Sequence, residues 1–336
     1  MKRSQIALVI FCLLHGTILC AGFFAPYAPD QQNRAFPFAP PTKVHWRDQA
    51  GRIHLRPFVY GISTNSDDAS YSEDRSREYP INFLASGSAE KLSTSGLRLF
   101  SVQQPGHIFV FGTDEFGRDL FSRILYGGRI SIGAGLLAMC IALGLGTLLG
   151  SIAAMAGGVT DSAIMRLAEL GLALSWFYLL LAIRAFLPLR TAPLQTFFLV
   201  AAVLGFTGWA RPARLVRGVL LSAKERGFVL TARGFGAGPA YLFRRHLMPQ
   251  VLPLIWTQAV VLIPQFIMAE VALSFLGLGA TEPLTSWGNL LSELQSYRVI
   301  TSYWWMFTPV VVLVMVSSSY LLLLNSLHKR GHSTAV

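Results

Sequence analysis

Five stretches of this chain run for about 20 residues or more without a charged side chain: Ser4 to Pro29, Ile130 to Thr160, Thr191 to Ala210, Val251 to Ala269 and Thr301 to Leu327. A helix rises about 1.5 Å per residue and a bilayer's hydrocarbon core is about 30 Å thick, so about 20 apolar residues suffice to cross it. A sixth run, Leu170 to Ile183, lies between Glu169 and Arg184. It covers only about 21 Å as a helix, so it must extend through a charge that snorkels or pairs. Only 13% of residues are charged and 53% are hydrophobic, where soluble domains average about 25% charged. That balance excludes a disordered chain and argues against an ordinary cytosolic enzyme. The pattern predicts an all-α polytopic membrane protein with six transmembrane helices.

The first span follows Lys2 and Arg3, a start that suits both a retained helix and a cleaved secretory signal. No small-x-small cleavage site closes it, and Leu19 before Cys20 is a poor lipoprotein signal, so a retained helix over residues 1–29 is expected. Between spans four and five stand Arg211, Arg214, Arg217, Lys224, Arg226, Arg233, Arg244 and Arg245, with Glu225 the only acid. With six spans, this segment, the N-terminus and the tail with Lys329 and Arg330 fall on one side, which the positive-inside rule makes cytoplasmic. Much of the net charge of +11 is thereby placed, and no nucleic-acid partner is needed to explain it.

The opposite side then holds a long segment, about residues 30–125. Lys43-Val-His-Trp-Arg47 and Arg52-Ile-His-Leu-Arg56 alternate apolar and polar residues around Asp48-Gln-Ala-Gly51, which reads as a hairpin. Thr64 to Lys91 is polar and serine-rich and reads as a loop. Leu97 to Phe111 is strand-like but broken by Pro105-Gly106. A small β-rich extracytoplasmic insertion between helices 1 and 2 is expected.

Several chemistries lack their residues. None of the five lysines follows a glycine, so there is no phosphate-binding loop of the G-x-x-x-x-G-K type. Neither H-E-x-x-H nor G-x-S-x-G occurs. The three cysteines offer no metal-ligand spacing. No catalytic residue, metal or bound cofactor is expected, and the energy for any work must come from an ion gradient or a partner. Gly146 and Gly150 form a G-x-x-x-G suited to close helix packing. Pro253, Pro264 and Pro309 fall inside spans five and six, where they could kink helices.

The cytoplasmic segment Leu221 to Leu252 is the most informative. It predicts one short helix over Lys224 to Arg233, a break at Gly234-Phe-Gly-Ala-Gly-Pro239 and a second helix over Ala240 to Leu247, ending before Pro249. Two basic, amphipathic helices bent around glycine suit docking into a groove of a soluble partner. The positive-inside bias alone would also account for the arginines.

These residues carry a resemblance. Val229-Leu-Thr-Ala-Arg-Gly-Phe-Gly236 with His246-Leu-Met-Pro249 resembles the EAA loop of binding-protein-dependent ABC importer permeases. Gly112-Thr-Asp-Glu-Phe-Gly-Arg-Asp119, with Ser122-Arg123 and Tyr126-Gly-Gly-Arg-Ile-Ser131, resembles the signature of the dipeptide and oligopeptide branch, its C-type subunit. Leu273-Ser-Phe-Leu-Gly-Leu-Gly279 and Ser286-Trp-Gly288 resemble that branch too.

The resemblance implies a type I ABC importer fold and a permease subunit in the bacterial inner membrane, forming half of a pathway for di- or oligopeptides. The implied partners are a homologous B-type permease, two cytoplasmic ABC ATPase subunits that use ATP and Mg, and an extracytoplasmic substrate-binding protein. The transmembrane domain would be 126–328, with a coupling loop at 211–249 and a tail at 329–336. Coupling to the ATPase falls on Leu230, Thr231, Ala232, Arg233, Gly236, His246 and Pro249. Thr231 and Ala232 take the two alanine positions, and Leu230 stands where the family has glutamate. An ion-gradient-driven secondary transporter is the alternative; it would need paired intramembrane charges and inverted repeats.

Gly112, Thr113, Asp114, Gly117, Arg118 and Asp119 either line an outer vestibule or form a turn in which Asp114 and Asp119 cap the next short helix. Arg184 and Glu270 fall at similar depth near the outer ends of spans three and five and are expected to pair. Trp287, Trp304 and Trp305 read as an interfacial aromatic belt.

Overall fold

In lipid every backbone N–H and C=O must find its partner within the protein, which leaves helices as the economical way for such runs to cross. The computed structural model of the chain is accordingly helical in its apolar runs. It describes residues 3–64, 71–86, 97–173, 175, 177–179, 181–182, 192–280 and 282–333. Among the described residues, four helices are long and apolar enough to span a membrane: Leu120–Ala156, Pro193–Lys224, Pro239–Phe275 and Trp304–Ser326, with a shorter apolar helix at Gln5–Leu19. Leu174, Trp176, Leu180 and Ile183 of the expected third span, and Arg184 just beyond it, lie outside the described residues.

In chain order the elements are α1 (Arg3–Leu19), α2 (Ala21–Phe24), β1 (His45–Arg47), β2 (Ile53–Thr64), β3 (Tyr71–Ser86), β4 (Leu97–Val102), α3 (Leu120–Ala156), α4 (Gly158–Ala173), α5 (Pro193–Gly208), α6 (Ala210–Lys224), α7 (Gly227–Gly234), α8 (Pro239–Leu242), α9 (Met248–Phe275), α10 (Trp287–Ser292), α11 (Tyr297–Ser302) and α12 (Thr308–Ser333). Contacts divide the chain into two units. One holds Met1–Val9, Ser131–Thr281 and Ser317–Val336; the other holds Ile10–Ile130 and Glu282–Val316.

The first unit is a helical core. Ala138, Ala142 and Leu143 of α3 pack with Val200, Val203 and Leu204 of α5 and with Leu262, Phe266, Ala269 and Leu273 of α9. Small residues permit the approach. A Cβ on Gly146 would meet Pro212 Cβ at 2.6 Å and the Trp209 carbonyl at 2.9 Å, and one on Gly150 would strike the Ala213 carbonyl. The G-x-x-x-G face of α3 thus lies directly on α6. Beneath it, Arg217 of α6 pairs with Asp161 of α4, and Lys224 Nζ donates to the Ala154 carbonyl at the end of α3.

In the second unit the strands form one antiparallel sheet in the order β1-β2-β3-β4. Val59, Ile81 and Ile108 sit at its core. The hairpin expected at residues 43–56 is present, with His45 opposite Phe58 and Arg47 opposite Ile53. The expected loop between Thr64 and Lys91 is corrected, because Tyr71–Ser86 is a strand paired with both β2 and β4. Its first half reads as polar because Ser72, Asp74 and Arg75 are exposed, so no apolar face marks the period. The strand-like run from Leu97 stops at Val102, ahead of Pro105, rather than reaching Phe111.

Three further expectations change. The second apolar helix begins at Leu120, ten residues before its charge-free run, because Arg123 is ion-paired with Asp114, Glu282 and Glu293, and Arg129 donates to the Ile18 and Leu19 carbonyls that α1 leaves open at its end. Pro309 is the second residue of α12, where a missing N–H costs little, and not a mid-helix kink. Trp287 and Trp305 are buried and donate to the Ile124 and Thr113 carbonyls, at 2.9 Å and 3.3 Å; only Trp304, 68% exposed, keeps the surface position of a belt residue.

Candidate functional sites

The segment Gly112–Asp119 is a tight turn closed by a bridge between Thr113 and Asp119. Two of its glycines have positive φ, +77° at Gly112 and +69° at Gly117, a region that costs other residues about 1–2 kcal/mol. A Cβ at Gly117 would also strike the Asn33 carbonyl, and one at Gly112 would meet the Ala39 carbonyl at 2.6 Å. Thr113 Oγ1 accepts from the Ala39 amide at 2.7 Å and donates to the Phe36 carbonyl at 2.6 Å. The segment is therefore clamped to residues 33–39.

Its charges turn inward. Asp114 is fully buried, and its Oδ1 accepts from the Phe116 and Arg118 amides, each at 2.9 Å. Asp114 Oδ2 accepts from Arg118 Nε at 2.7 Å and from Arg123 Nη1. Arg118 Nη1 donates to both oxygens of Glu282, at 2.7 Å and 2.8 Å. Arg123, 1% exposed, reaches Glu282 at 3.0 Å and Glu293 at 2.9 Å. Asp119 Oδ2 accepts from the Ser122 amide at 2.8 Å and its hydroxyl at 2.6 Å, the geometry of a side-chain cap one residue ahead of α3. That helix is 37 residues long, not the short one expected. Burial pushes the Asp119 carboxyl up to about 7, against its bonds from Ser122. Glu293 likewise rises to about 7, because desolvation outweighs the attraction of Arg123.

Sequence reasoning missed the members that complete this cluster. Arg123 lies three residues into α3, where nothing in the neighbouring sequence marks it as the centre of a buried ion cluster. Glu282 and Glu293 lie more than 150 positions away along the chain, and no local pattern could have joined them to Asp114.

The basic segment is helical from its start. Arg211 to Lys224 form α6, and α7 begins only at Gly227, three residues later than expected. Within α7, Val229 is buried while Leu230 is 53% exposed, and Thr231 and Arg233 also face outward. Its end is a Schellman motif: the Ala237 amide donates to the Ala232 carbonyl at 3.1 Å and the Gly236 amide to the Arg233 carbonyl at 3.0 Å. Gly236 sits at φ +82°, the left-handed position that motif requires. The second helix does not stop before Pro249. Pro239 starts α8, Phe243–Leu247 continues as a wider π-helical turn, and α9 follows at once. Pro249 falls in the first turn of α9, where the wider turn before it accommodates its missing N–H. His246 lies between the rings of Phe228 and Tyr241, at 6.0 Å and 5.8 Å. Val216, Leu220, Val229, Leu242, Leu247 and Val251 pack into one core that fixes the bend on the membrane helices.

Glu270 is 2% exposed in α9 and accepts from the Ser274 hydroxyl at 2.6 Å. The Ala280 amide donates to the same hydroxyl at 3.2 Å. Its expected partner Arg184 lies outside the described residues.

The sequence family described as binding-protein-dependent transport system inner membrane component matches residues 146–331, more than half of the chain. The chain belongs to this family. The match starts inside α3 and takes in the whole bent basic segment, so this inner membrane component carries its helix-bend-helix segment within the family region and its Gly112–Asp119 cluster ahead of it. It is a multi-pass membrane protein. The chain is 35% identical over 211 residues to the dipeptide transport system permease protein DppC of Bacillus subtilis, covering 62% of this chain and 64% of that one. It is 35% identical over 218 residues to the oligopeptide transport system permease protein OppC of the same organism, covering 65% and 68%. Among solved structures it is similar to an inward-facing form of the MetNI methionine ABC transporter, with a TM-score of 0.45 and 19% identity, over 63% of this chain and 95% of that one.

Proposed function

We propose that this inner membrane component is a permease subunit of an ATP-driven importer, that it forms half of the translocation pathway, and that its cargo is a di- or oligopeptide. The observation that carries the reading is the family match combined with 35% identity to two permeases named for dipeptide and oligopeptide transport. It rests on six spans, with both termini and the segment 211–249 in the cytoplasm and residues 30–125 outside. The eight basic residues against one acid in that cytoplasmic segment support this orientation.

In this reading two cytoplasmic ATPase subunits bind ATP and Mg, a homologous B-type permease completes the pathway, and an external binding protein delivers the peptide. The bend at Gly236 presents Leu230, Thr231, Arg233 and Phe235 as the docking surface for the ATPase. Val229, Leu242 and Leu247 beneath them pass its movement to α6 and α9. A nucleotide drives the change only through its different affinity for the two states. Leu230 makes the contact apolar where relatives of the resemblance use a carboxylate.

The test is uptake by the assembled transporter in vesicles. Gly236→Pro places a residue restricted to φ near −65° at a position held at +82°, and should abolish ATP-dependent peptide uptake while the chain still inserts. Uptake that survives this change, or that stops with a proton uncoupler and not with ATP depletion, would overturn the reading.

A further inference from the structure

The sequence offers no metal-ligand spacing, yet the sheet of the second unit gathers three ligand types from separate elements. Asp48 stands in the turn between β1 and β2, His54 on β2 and Glu78 on β3. The turn is drawn over β3 by Gln49, whose Nε2 donates to the Arg75 carbonyl at 3.1 Å. Asp48 Oδ2 then lies 3.2 Å from His54 Nε2, and Glu78 Oε2 lies 3.9 Å from that same nitrogen. One atom from each of the three residues falls within 4.8 Å of the others.

We propose that Asp48, His54 and Glu78 bind a divalent transition-metal ion with the ligand preference of zinc. Zinc bonds of about 2.0–2.1 Å in a tetrahedron place neighbouring ligand atoms about 3.3–3.5 Å apart. The two spacings at the ring nitrogen bracket that range. One Nε2–H cannot donate well to two carboxylates on separate elements, whereas a cation in front of Nε2 serves both. Two carboxylates and a neutral imidazole also match the charge of a divalent ion.

The ligands are held before the ion arrives. Asp48 Oδ1 accepts from the Arg52 amide at 2.7 Å, which leaves Oδ2 for the metal. The His54 ring meets Phe58 edge-on at 5.2 Å. The side chains of His54 and Glu78 are 41% and 36% exposed, so solvent can reach the fourth position. The bound ion would staple the β1–β2 turn to β3.

The experiment measures Zn²⁺ binding to the full chain in detergent micelles by competition with a chromophoric chelator. The wild-type chain should hold one equivalent at this site, weakened at least tenfold by His54→Ala, Asp48→Asn or Glu78→Gln and unchanged by His45→Ala. Asp48→Asn keeps an oxygen for the Arg52 amide, so the turn persists while the ligand charge is lost. Zinc should also slow proteolysis at residues 48–56 in the wild-type chain and not in Asp48→Asn. Equal zinc affinity in wild type and in the ligand variants, or no zinc protection of the turn, would overturn the proposal.

Discussion

At the scale of single residues, Asp114 organises the most charge-dense site. It answers two amides and two guanidinium groups from full burial, and removing one partner of such a group leaves uncompensated charge. Asp114→Ala should therefore cost about 3–5 kcal/mol, read as a large fall in apparent Tm or failure to accumulate in the membrane. Arg118→Lys should also weaken the site, since a single ammonium cannot replace the two nitrogens by which Arg118 holds Asp114 through Nε and Glu282 through Nη1. Asp119 adds a pH dependence. Its carboxyl titrates near 7 in the folded chain against 3.8 in the unfolded one, so the fold takes up the proton and gains its full benefit below about pH 4. That contribution is lost as pH rises toward 7. Apparent Tm should fall less between pH 5 and pH 8 in Asp119→Asn than in the wild-type chain; an identical fall would contradict this.

At the scale of elements, apolar runs and glycine spacing were the readable part. The G-x-x-x-G of α3 signalled a close helix contact, and α6 supplies it. Gly150→Val should overpack this contact by about 1–3 kcal/mol, seen as reduced thermal stability, whereas Gly144→Val, with nothing within 4 Å of a Cβ, should be far better tolerated. Where charges were read as loop the elements were misplaced. The start of α3 was hidden because Glu282 and Glu293, which pair with Arg123, and the carbonyls that accept from Arg129 are distant in sequence. The strand β3 was hidden because its exposed first half carries no apolar period. The bend after α7 was visible in its glycines, but its continuation through Pro249 was not, because a π-helical turn leaves no pattern in composition. Gly236→Ala should destabilise the bend by about 1–2 kcal/mol through its positive φ, measurable as faster proteolysis of residues 224–249.

At the scale of the whole molecule, the two units divide the labour that the sequence suggested only in outline. One is a helical core whose bent basic segment rests on α6 and α9. The other carries the sheet and the buried ion cluster of the Gly112 turn. The charge-poor composition resolves into these spans, and much of the remaining charge lies in the bent basic segment, in the sheet and in the buried cluster of the Gly112 turn. The central claim is the proposal that the bent segment couples this inner membrane component to ATP hydrolysis in a partner. Peptide uptake by the complete transporter in proteoliposomes tests it most directly, with the wild-type chain compared with Leu230→Lys/Phe235→Lys, two exposed positions that the fold does not need. The account predicts that the double variant assembles in the membrane with wild-type stability yet loses ATP-dependent uptake and retention of the ATPase subunits. Wild-type uptake and retention in that variant would contradict it.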